Sequence, residues 1–278
     1  MTAEPYVAGD IDGFLDTWEV QLTRTFLAEG RLILPVADTC GLRKLRDRVA
    51  AAAAGHLGLP PPDDAAAFLN GIHEHVDAAG LNDLRLRVID AVGRDRWVRQ
   101  TYFGLARRAL ETIVGNELAM QKRINLSIQL PGDRSSLLHV HADVWDGDSP
   151  FEVVAWLPLV DCYRTKSMYL LPPAAGARIE AEFGRFQGQS AEALYEAIKS
   201  DLEWLEVPYG SVLLFTQNLL HGNRVNQEPE TRWTLNCRFK SLFSPYAGKR
   251  LGEFFEPITI RAATRFGMSY TLPEGLHE

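Results

Sequence analysis

A chain of 278 residues with 46% hydrophobic and 23% charged residues has the makeup of a folded globular protein, long enough to bury a sizeable core in one large domain. Its 29 Lys+Arg against 36 Asp+Glu leave a formal charge of −7, the wrong sign for gripping a nucleic-acid backbone or an anionic lipid surface. No apolar run approaches a membrane span, residues 1–12 carry acids rather than a basic-then-apolar leader, and Cys40, Cys162 and Cys237 show no CxxC spacing, so a reduced, cytoplasmic protein is expected.

Taken in chain order, the first part reads as helices. Apolar residues recur at three- and four-residue steps over residues 13–29, 42–57, 63–76, 81–92 and 96–118, the last being the longest expected helix. Pro60, Pro61 and Pro62 break the series, and Asp63 and Asp64 mark a helix N-terminus. From about residue 122 the pattern shortens to strands. Residues 123–130 alternate polar and apolar and stop at Pro131-Gly132, residues 151–160 are apolar and β-branched, and residues 168–171 end at Pro172-Pro173. A helix is expected over 191–204, then strands over 211–216, after the turn Pro208-Tyr209-Gly210, and over 231–242. Residues from Ser244 onward give no clear pattern. The expectation is a single α+β domain over 1–278, with a helical support (1–121), an antiparallel barrel or sandwich (122–243) and a C-terminal extension (244–278).

His-x-Asp occurs twice. His75-Val76-Asp77 falls in a helical pattern, where residues two apart diverge; its His73/Asp77 pair would share a helical face as a surface contact. His141-Ala142-Asp143 follows a strand and a turn, in Ser136-Leu-Leu-His-Val-His-Ala-Asp143, and in extended chain residues two apart point the same way. His221, after the strand over 211–216, supplies a third ligand. Two histidines and one carboxylate form the facial triad typical of non-haem Fe(II) oxygenases, with positions left open. Arg232 and Thr234 share a face of the next strand and suit a clamp on a remote carboxylate. Arg238 lies on that face too, but roughly 20 Å further along at ~3.3 Å per residue, so one carboxylate cannot use both arginines. Arg224, in the loop after His221, is a weaker choice.

His139 shares a face with His141, and a His-x-His pair also suits a cupin or a metal-dependent hydrolase. A cupin would want a glutamate a few residues on, and none appears before Glu152; a barrel hydrolase usually spends the pair near its first strand. Trp145, Asp146, Asp148, Lys166, Gln217 and Asn218 flank the proposed ligands with aromatic, amide and charged groups suited to a polyhydroxylated or amino-sugar substrate. Trp156 and Phe215 read as core. No GxGxxG, P-loop or Gly-x-Ser-x-Gly elbow is present.

In order along the chain stand His141-Ala-Asp143, Trp156-Leu-Pro-Leu-Val-Asp161, Ser167-Met-Tyr-Leu-Leu-Pro172, Gly210-Ser-Val-Leu-Leu-Phe215, His221-Gly222 and Arg232-Trp-Thr234. On these pieces the segment from about residue 123 to 240 resembles the phytanoyl-CoA dioxygenase-like branch of Fe(II)/2-oxoglutarate oxygenases. With Trp145, Gly147, Ser149-Pro150 and Lys166-Ser167-Met168 it is similar to a narrower group, the orthosomycin and hygromycin-type orthoester-forming oxygenases of carbohydrate gene clusters. Where many relatives read Pro-Gly-Ser-His, this chain has Pro172-Pro173-Ala174-Ala175 in a loop that shapes the substrate side. The resemblance implies a double-stranded β-helix, or jelly roll. It implies Fe(II) on His141, Asp143 and His221, 2-oxoglutarate on Arg232 and Thr234, and dioxygen as cosubstrate. The implied substrate is a sugar or an aminoglycoside or oligosaccharide-antibiotic precursor, hydroxylated or oxidatively cyclised to an orthoester, with His139, Trp145, Asp146, Lys166, Gln217 and Asn218 as substrate contacts. Two other classes stand beside it: a cupin-type isomerase or hydrolase, and a catalytically silent binding module.

Overall fold

Asp16 accepts the amide of Glu19 while Glu19 reaches back to the Asp16 amide, a capping box that starts α1 (Thr17–Glu29). The computed structural model describes residues 11–275, so the leader reading made on residues 1–12 lies almost wholly outside the described residues. Gly30, at φ 66°, closes α1 in the left-handed region and turns the chain into β1 (Arg31–Pro35). That strand went unpredicted because five residues ending in proline are too short a run to signal one. Asp38 and Asp64 cap α2 (Thr39–His56) and α3 (Ala65–Asn70) through their carboxylates.

The helix expected over 63–76 is therefore cut to α3 and one 3-10 turn, Ile72–Glu74. His73 and Asp77 do not meet: His73 Nδ1 lies 3.0 Å from Thr231 Oγ1, and Asp77 accepts the amides of Ala79 and Gly80. After α4 (Leu81–Gly93), the expected long helix over 96–118 is instead α5 (Arg96–Gly104), α6 (Arg107–Ile113) and the start of a strand, β2 (Leu118–Gln121). The cause is tertiary: the Leu105 carbonyl accepts the Ala37 amide at 2.9 Å, and Gly115 takes φ 128°. Among the described residues α2, with 18 residues, is the longest helix.

The second part runs β3 (Asn125–Gln129), β4 (Glu152–Pro158), β5 (Tyr169–Leu170), α7 (Pro173–Ala181), α8 (Ala191–Ile198), β6 (Glu203–Trp204), β7 (Ser211–Thr216), β8 (His221–Gly222), β9 (Arg232–Ser241), β10 (Phe255–Pro257) and α9 (Ala262–Ser269). Pro173, read as a strand stop, also opens α7 at a position where a missing amide costs nothing. The helix expected to reach residue 204 stops at Ile198, because Trp204 pairs with Tyr169 in β6 and packs its ring 5.4 Å away.

All these pairings are antiparallel. The large sheet has the order β1-β7-β4-β9-β2-β10 with β3 also on β9, and a small sheet has the order β6-β5-β8. This is an open jelly roll. The large sheet keeps β1 and β10 at its ends and faces the small sheet, the two-sheet arrangement expected from the sequence. The pleat gives the large sheet two different faces. Val153, Ala155, Leu157, Val212, Leu214, Trp233, Leu235, Cys237 and Phe239 bury against α2 to α5, where the Trp233 indole donates to Leu69 O at 2.8 Å. Val154, Trp156, Leu213 and Phe215 bury between the two sheets, against Met168 and Leu170. On β9 the residues alternating with that helix-side core are Arg232, Thr234, Asn236 and Arg238, so one strand threads a polar row through the space between the sheets. Residues after Ser244 are not an appendage: Pro245 O accepts from Ser149 Oγ at 2.8 Å and Lys240 Nζ at 2.6 Å, and β10 pairs with β2. No helix among the described residues is long and apolar enough to cross a membrane.

Candidate metal centre

The turn after β3 is organised by buried Asp133. Its carboxylate accepts the Ser135 amide at 2.7 Å and the hydroxyls of Ser135 and Ser136 at 2.9 and 2.7 Å. These donors outweigh the effect of burial and hold its carboxyl below the usual range. The chain then pairs with the segment after β7. Leu138 N donates to Asn223 Oδ1 at 2.7 Å, Asn223 N to Leu138 O at 2.9 Å, and His141 and His221 exchange backbone hydrogen bonds of 3.0 and 2.9 Å. Gly222 is required here. A Cβ would stand 2.6 Å from Tyr169 Oη and 2.7 Å from Leu138 O, so only glycine admits the two segments at this spacing.

The bridge sets the two imidazoles side by side, ring centres 4.3 Å apart, and a 3-10 turn beginning at Asp143 brings the carboxylate to them. The ligand atoms of His141, Asp143 and His221 all lie within 4.8 Å of one another. His141 Nδ1 is 2.8 Å from His139 O, and His221 Nδ1 is 2.9 Å from Leu219 O. A carbonyl can only accept, so both Nδ1 atoms carry protons and both Nε2 lone pairs are free to ligate. His141 Nε2 then faces Asp143 Oδ1 at 3.4 Å, lone pair toward lone pair, an arrangement that calls for a cation between them. Burial lowers the His141 pKa, but the Asp143 carboxylate and the His139 carbonyl raise it by more. Burial would raise Asp143, yet His141, His221 and Arg238 bring it down to about 2. Burial and the neighbouring His141 push His221 down to about 4. Two neutral imidazoles and a carboxylate fit a divalent transition metal with open positions.

The triad opens on a cavity of about 330 Å³ whose far wall carries Arg232. This arginine is 3% exposed. It donates through Nη1 to Ser167 O at 2.9 Å and through Nη2 to Ser127 Oγ at 3.1 Å. No carboxylate among the described residues pairs with it. Burial pulls its pKa to about 10, which still leaves it charged at neutral pH. Its Nε, the Thr234 hydroxyl and the Ser167 hydroxyl are buried and without partners. Ser127 lies directly across the ladder from Thr234, so these groups form one locus. A buried cation without a counter-ion, beside orphaned hydroxyls, is costly unless an anion completes it. The donor set fits a carboxylate.

The remaining sequence candidates scatter. Asp146 is exposed at the cavity mouth. His139 contributes its carbonyl, while its side chain is exposed and does not line the cavity. Trp145 is 46% exposed and packs on Phe183, ring centres 5.0 Å apart, outside the cavity lining. Lys166 is buried but turned away, donating to Asn70 Oδ1 at 2.8 Å and Glu230 Oε2 at 2.6 Å. Asn218 is exposed on a separate groove with Phe26 and Leu27. Gln217 is buried behind Arg238 and donates to Glu152 Oε2 at 2.6 Å. Arg224 makes a two-pronged pair with Glu192 at 2.6 and 2.9 Å, tying α8 to the loop after β8. Trp156 and Phe215, read as core, also line the cavity. Ser127, Ser167, Asn125, Asn223 and Asn236 were missed. The alternation of β3 and β9 was the available signal for Ser127, Asn125 and Asn236; none existed for Asn223.

No family model matches the chain, and no curated protein is similar to it in sequence. Solved structures do share its fold. The nickel complex of the non-heme monooxygenase ThoJ is 15% identical, with a TM-score of 0.55 over 91% of this chain and 89% of that one. SnoK, a non-heme alpha ketoglutarate dependent carbocyclase from nogalamycin biosynthesis, is 14% identical, with a TM-score of 0.52 over 88% of this chain and 97% of that one. HygX from Streptomyces hygroscopicus, with nickel and 2-oxoglutarate bound, is 16% identical, with a TM-score of 0.50 over 85% of this chain and 90% of that one. At these identities the likeness establishes the fold, including the helical first part, which the sequence resemblance did not cover.

Proposed function

We propose that the chain is an Fe(II)/2-oxoglutarate-dependent oxygenase that oxidises a C–H of a sugar or of an aminoglycoside or oligosaccharide-antibiotic precursor, by hydroxylation or by oxidative ring closure to an orthoester. The observation that carries this reading is the pairing of two features in one cavity: the His141–Asp143–His221 cluster and, away from it, a buried arginine with no anion of its own. His141, Asp143 and His221 would hold the ferrous ion, and Arg232, Thr234 and Ser167 the distal carboxylate of 2-oxoglutarate. When bound, this pair supplies the oxidising chemistry, drawing on dioxygen and releasing succinate and carbon dioxide. The chain's own part is placement. Trp156, Met168 and Phe215 make a dry wall, and the amides of Asn125, Asn223 and Asn236 offer both donors and acceptors for hydroxyl groups. The monooxygenase ThoJ, the alpha ketoglutarate dependent carbocyclase SnoK, and the nickel and 2-oxoglutarate bound to HygX support the reaction class.

The test is oxygen-dependent succinate release, screened over aminoglycoside and oligosaccharide-antibiotic precursors with Fe(II) and 2-oxoglutarate. One precursor should raise succinate release well above the substrate-free rate. If no succinate forms and anaerobic Fe(II) plus 2-oxoglutarate gives no visible charge-transfer band, the reading fails.

Metal affinity should also depend on pH in a defined direction. A metal and a proton compete for His141 Nε2. The His141 pKa lies above its ordinary 6.5, so the proton is held more tightly than usual and competes from higher pH. Affinity is full above that titration and should fall about tenfold per pH unit below it, one proton per metal. His221, at about 4, should steepen the loss only near that pH. Titration of the apo-protein with Ni(II) from pH 8 to 5 checks this; a flat profile down to pH 5.5 would contradict it.

A further inference from the structure

β9 carries two cavity-facing arginines, Arg232 buried and Arg238 half-buried, with opposite charge environments. Arg232 has no acid beside it, whereas Arg238 has two. Its Nη2 lies 3.3 Å from Asp143 Oδ1 and its Nε 3.1 Å from Asp148 Oδ1, and Nε donates to Gln217 Oε1 at 3.3 Å. Arg238 is thus already neutralised and is not a receptor for a substrate anion. What it touches is the carboxylate of the metal cluster.

The partners of Arg238 are themselves fixed. The Asp148 side chain has no exposure, its other oxygen pairs with Lys249, and its amide reaches back to Asp143 O at 3.4 Å. That last contact closes the loop after Asp143. The turn depends on Gly147 at φ 84°, a conformation strained for other residues, and it is backed by the Gly248 amide, which donates to Gly147 O at 3.1 Å. Gln217 is fully buried, held by Glu152, which in turn accepts the Ser149 amide at 3.0 Å. A charge network of this kind contributes little net stability over well-packed apolar residues, but a guanidinium held in place by Gln217 and Asp148 presents its charge to Asp143 from one fixed side.

A carboxylate rotates easily about its last torsion, and either oxygen can ligate. We propose that Arg238, clasped by Asp148 and Gln217, is the positioning residue that sets the orientation of Asp143 and so decides which oxygen the metal receives. The inference rests on the reading of His141, Asp143 and His221 as ligands.

Co(II) alone, added to the full-length apo-protein, is the probe, read by its visible d–d absorption and by titration. Arg238→Gln should weaken Co(II) binding about 10- to 100-fold, the range typical for loss of a partner behind a ligand, and should alter the d–d band. Arg238→Lys, which keeps the charge but not the planar group held by Gln217 and Asp148, should recover part of the affinity without restoring the band. Asp148→Asn should shift the band in the same direction as Arg238→Gln, by less. A folded Arg238→Gln protein that binds Co(II) as tightly as wild type or more tightly, with an unchanged band, overturns the proposal. If that variant does not fold, wild-type bands in both Arg238→Lys and Asp148→Asn overturn it equally. Failure of the wild-type protein itself to bind Co(II) removes the ligand reading and the proposal with it, and is recognised before any variant is made.

Discussion

Replacing His221 with alanine should abolish metal binding and, if the proposed oxygenase reading holds, substrate-dependent succinate formation, while leaving the protein folded. The backbone bridge to His141 uses only main-chain atoms, at 3.0 and 2.9 Å, so alanine keeps it. The imidazole is 5% exposed and packs edge-on to Phe215 at 5.1 Å, so its loss leaves a small cavity beside a ring. The ligand count falls from three to two. The loss of affinity should exceed the roughly 100-fold that removing an outer partner of a ligand can cost. A sharp control lies two residues before the other histidine. His139→Ala removes a side chain that does not line the cavity but keeps the carbonyl that holds His141, so Ni(II) affinity should stay within about twofold of wild type. Metal-dependent turnover in the His221 variant, or loss of metal in the His139 variant, would move the centre away from the triad. The first measurement is Ni(II) or Co(II) titration, with a thermal melt of the apo-protein to show that the fold survives.

His141 and Asp143 were legible because extended chain has a period of two, and His221 because its residue type completed a donor set. Nothing in the sequence could show that Asn223 and Gly222 zip the two histidine segments together, since those contacts join positions some eighty residues apart along the chain. Distance along a strand was also legible. Arg232 and Arg238 do stand at separate places on one face, so one carboxylate cannot use both; what waits at the far end is set by the loop from Asp143 to Asp148, and the spacing alone does not show that Arg238 meets those two carboxylates. Lys166 shows the opposite error. It is next to a cavity residue in sequence, yet a 3-10 turn sends its side chain to Asn70 and Glu230. The starts of the capped helices were read to within a few residues because their signals are local. β1, β2 and β10 were not, because each exists only through a partner far away in the chain.

Arg232 is the second place where one substitution should have a large effect, and there activity and stability should move in different directions. A hydrogen bond to a charged group contributes about 1.5–3 kcal/mol, so removing a two-pronged clamp should raise the requirement for 2-oxoglutarate by about 10²-fold or more. The sugar requirement should move far less, because Arg232 stands six residues along β9 from Arg238, the arginine that touches Asp143. The apo-protein should behave differently. There Arg232 is a buried cation whose hydrogen-bond partners among the described residues are the Ser167 carbonyl and the Ser127 hydroxyl, and burial has drawn its pKa down to about 10. Taking such a charge out of the interior relieves a desolvation cost, so Arg232→Met, which keeps most of the volume, should melt at or above the wild-type temperature. A purely structural arginine would show the reverse, a lower melting temperature with both requirements unchanged. If the sugar requirement rises more than that for 2-oxoglutarate, the anion sits elsewhere in the cavity. The divergence follows from charge balance: a cation left uncompensated in the empty protein is the one that a ligand's carboxylate can complete.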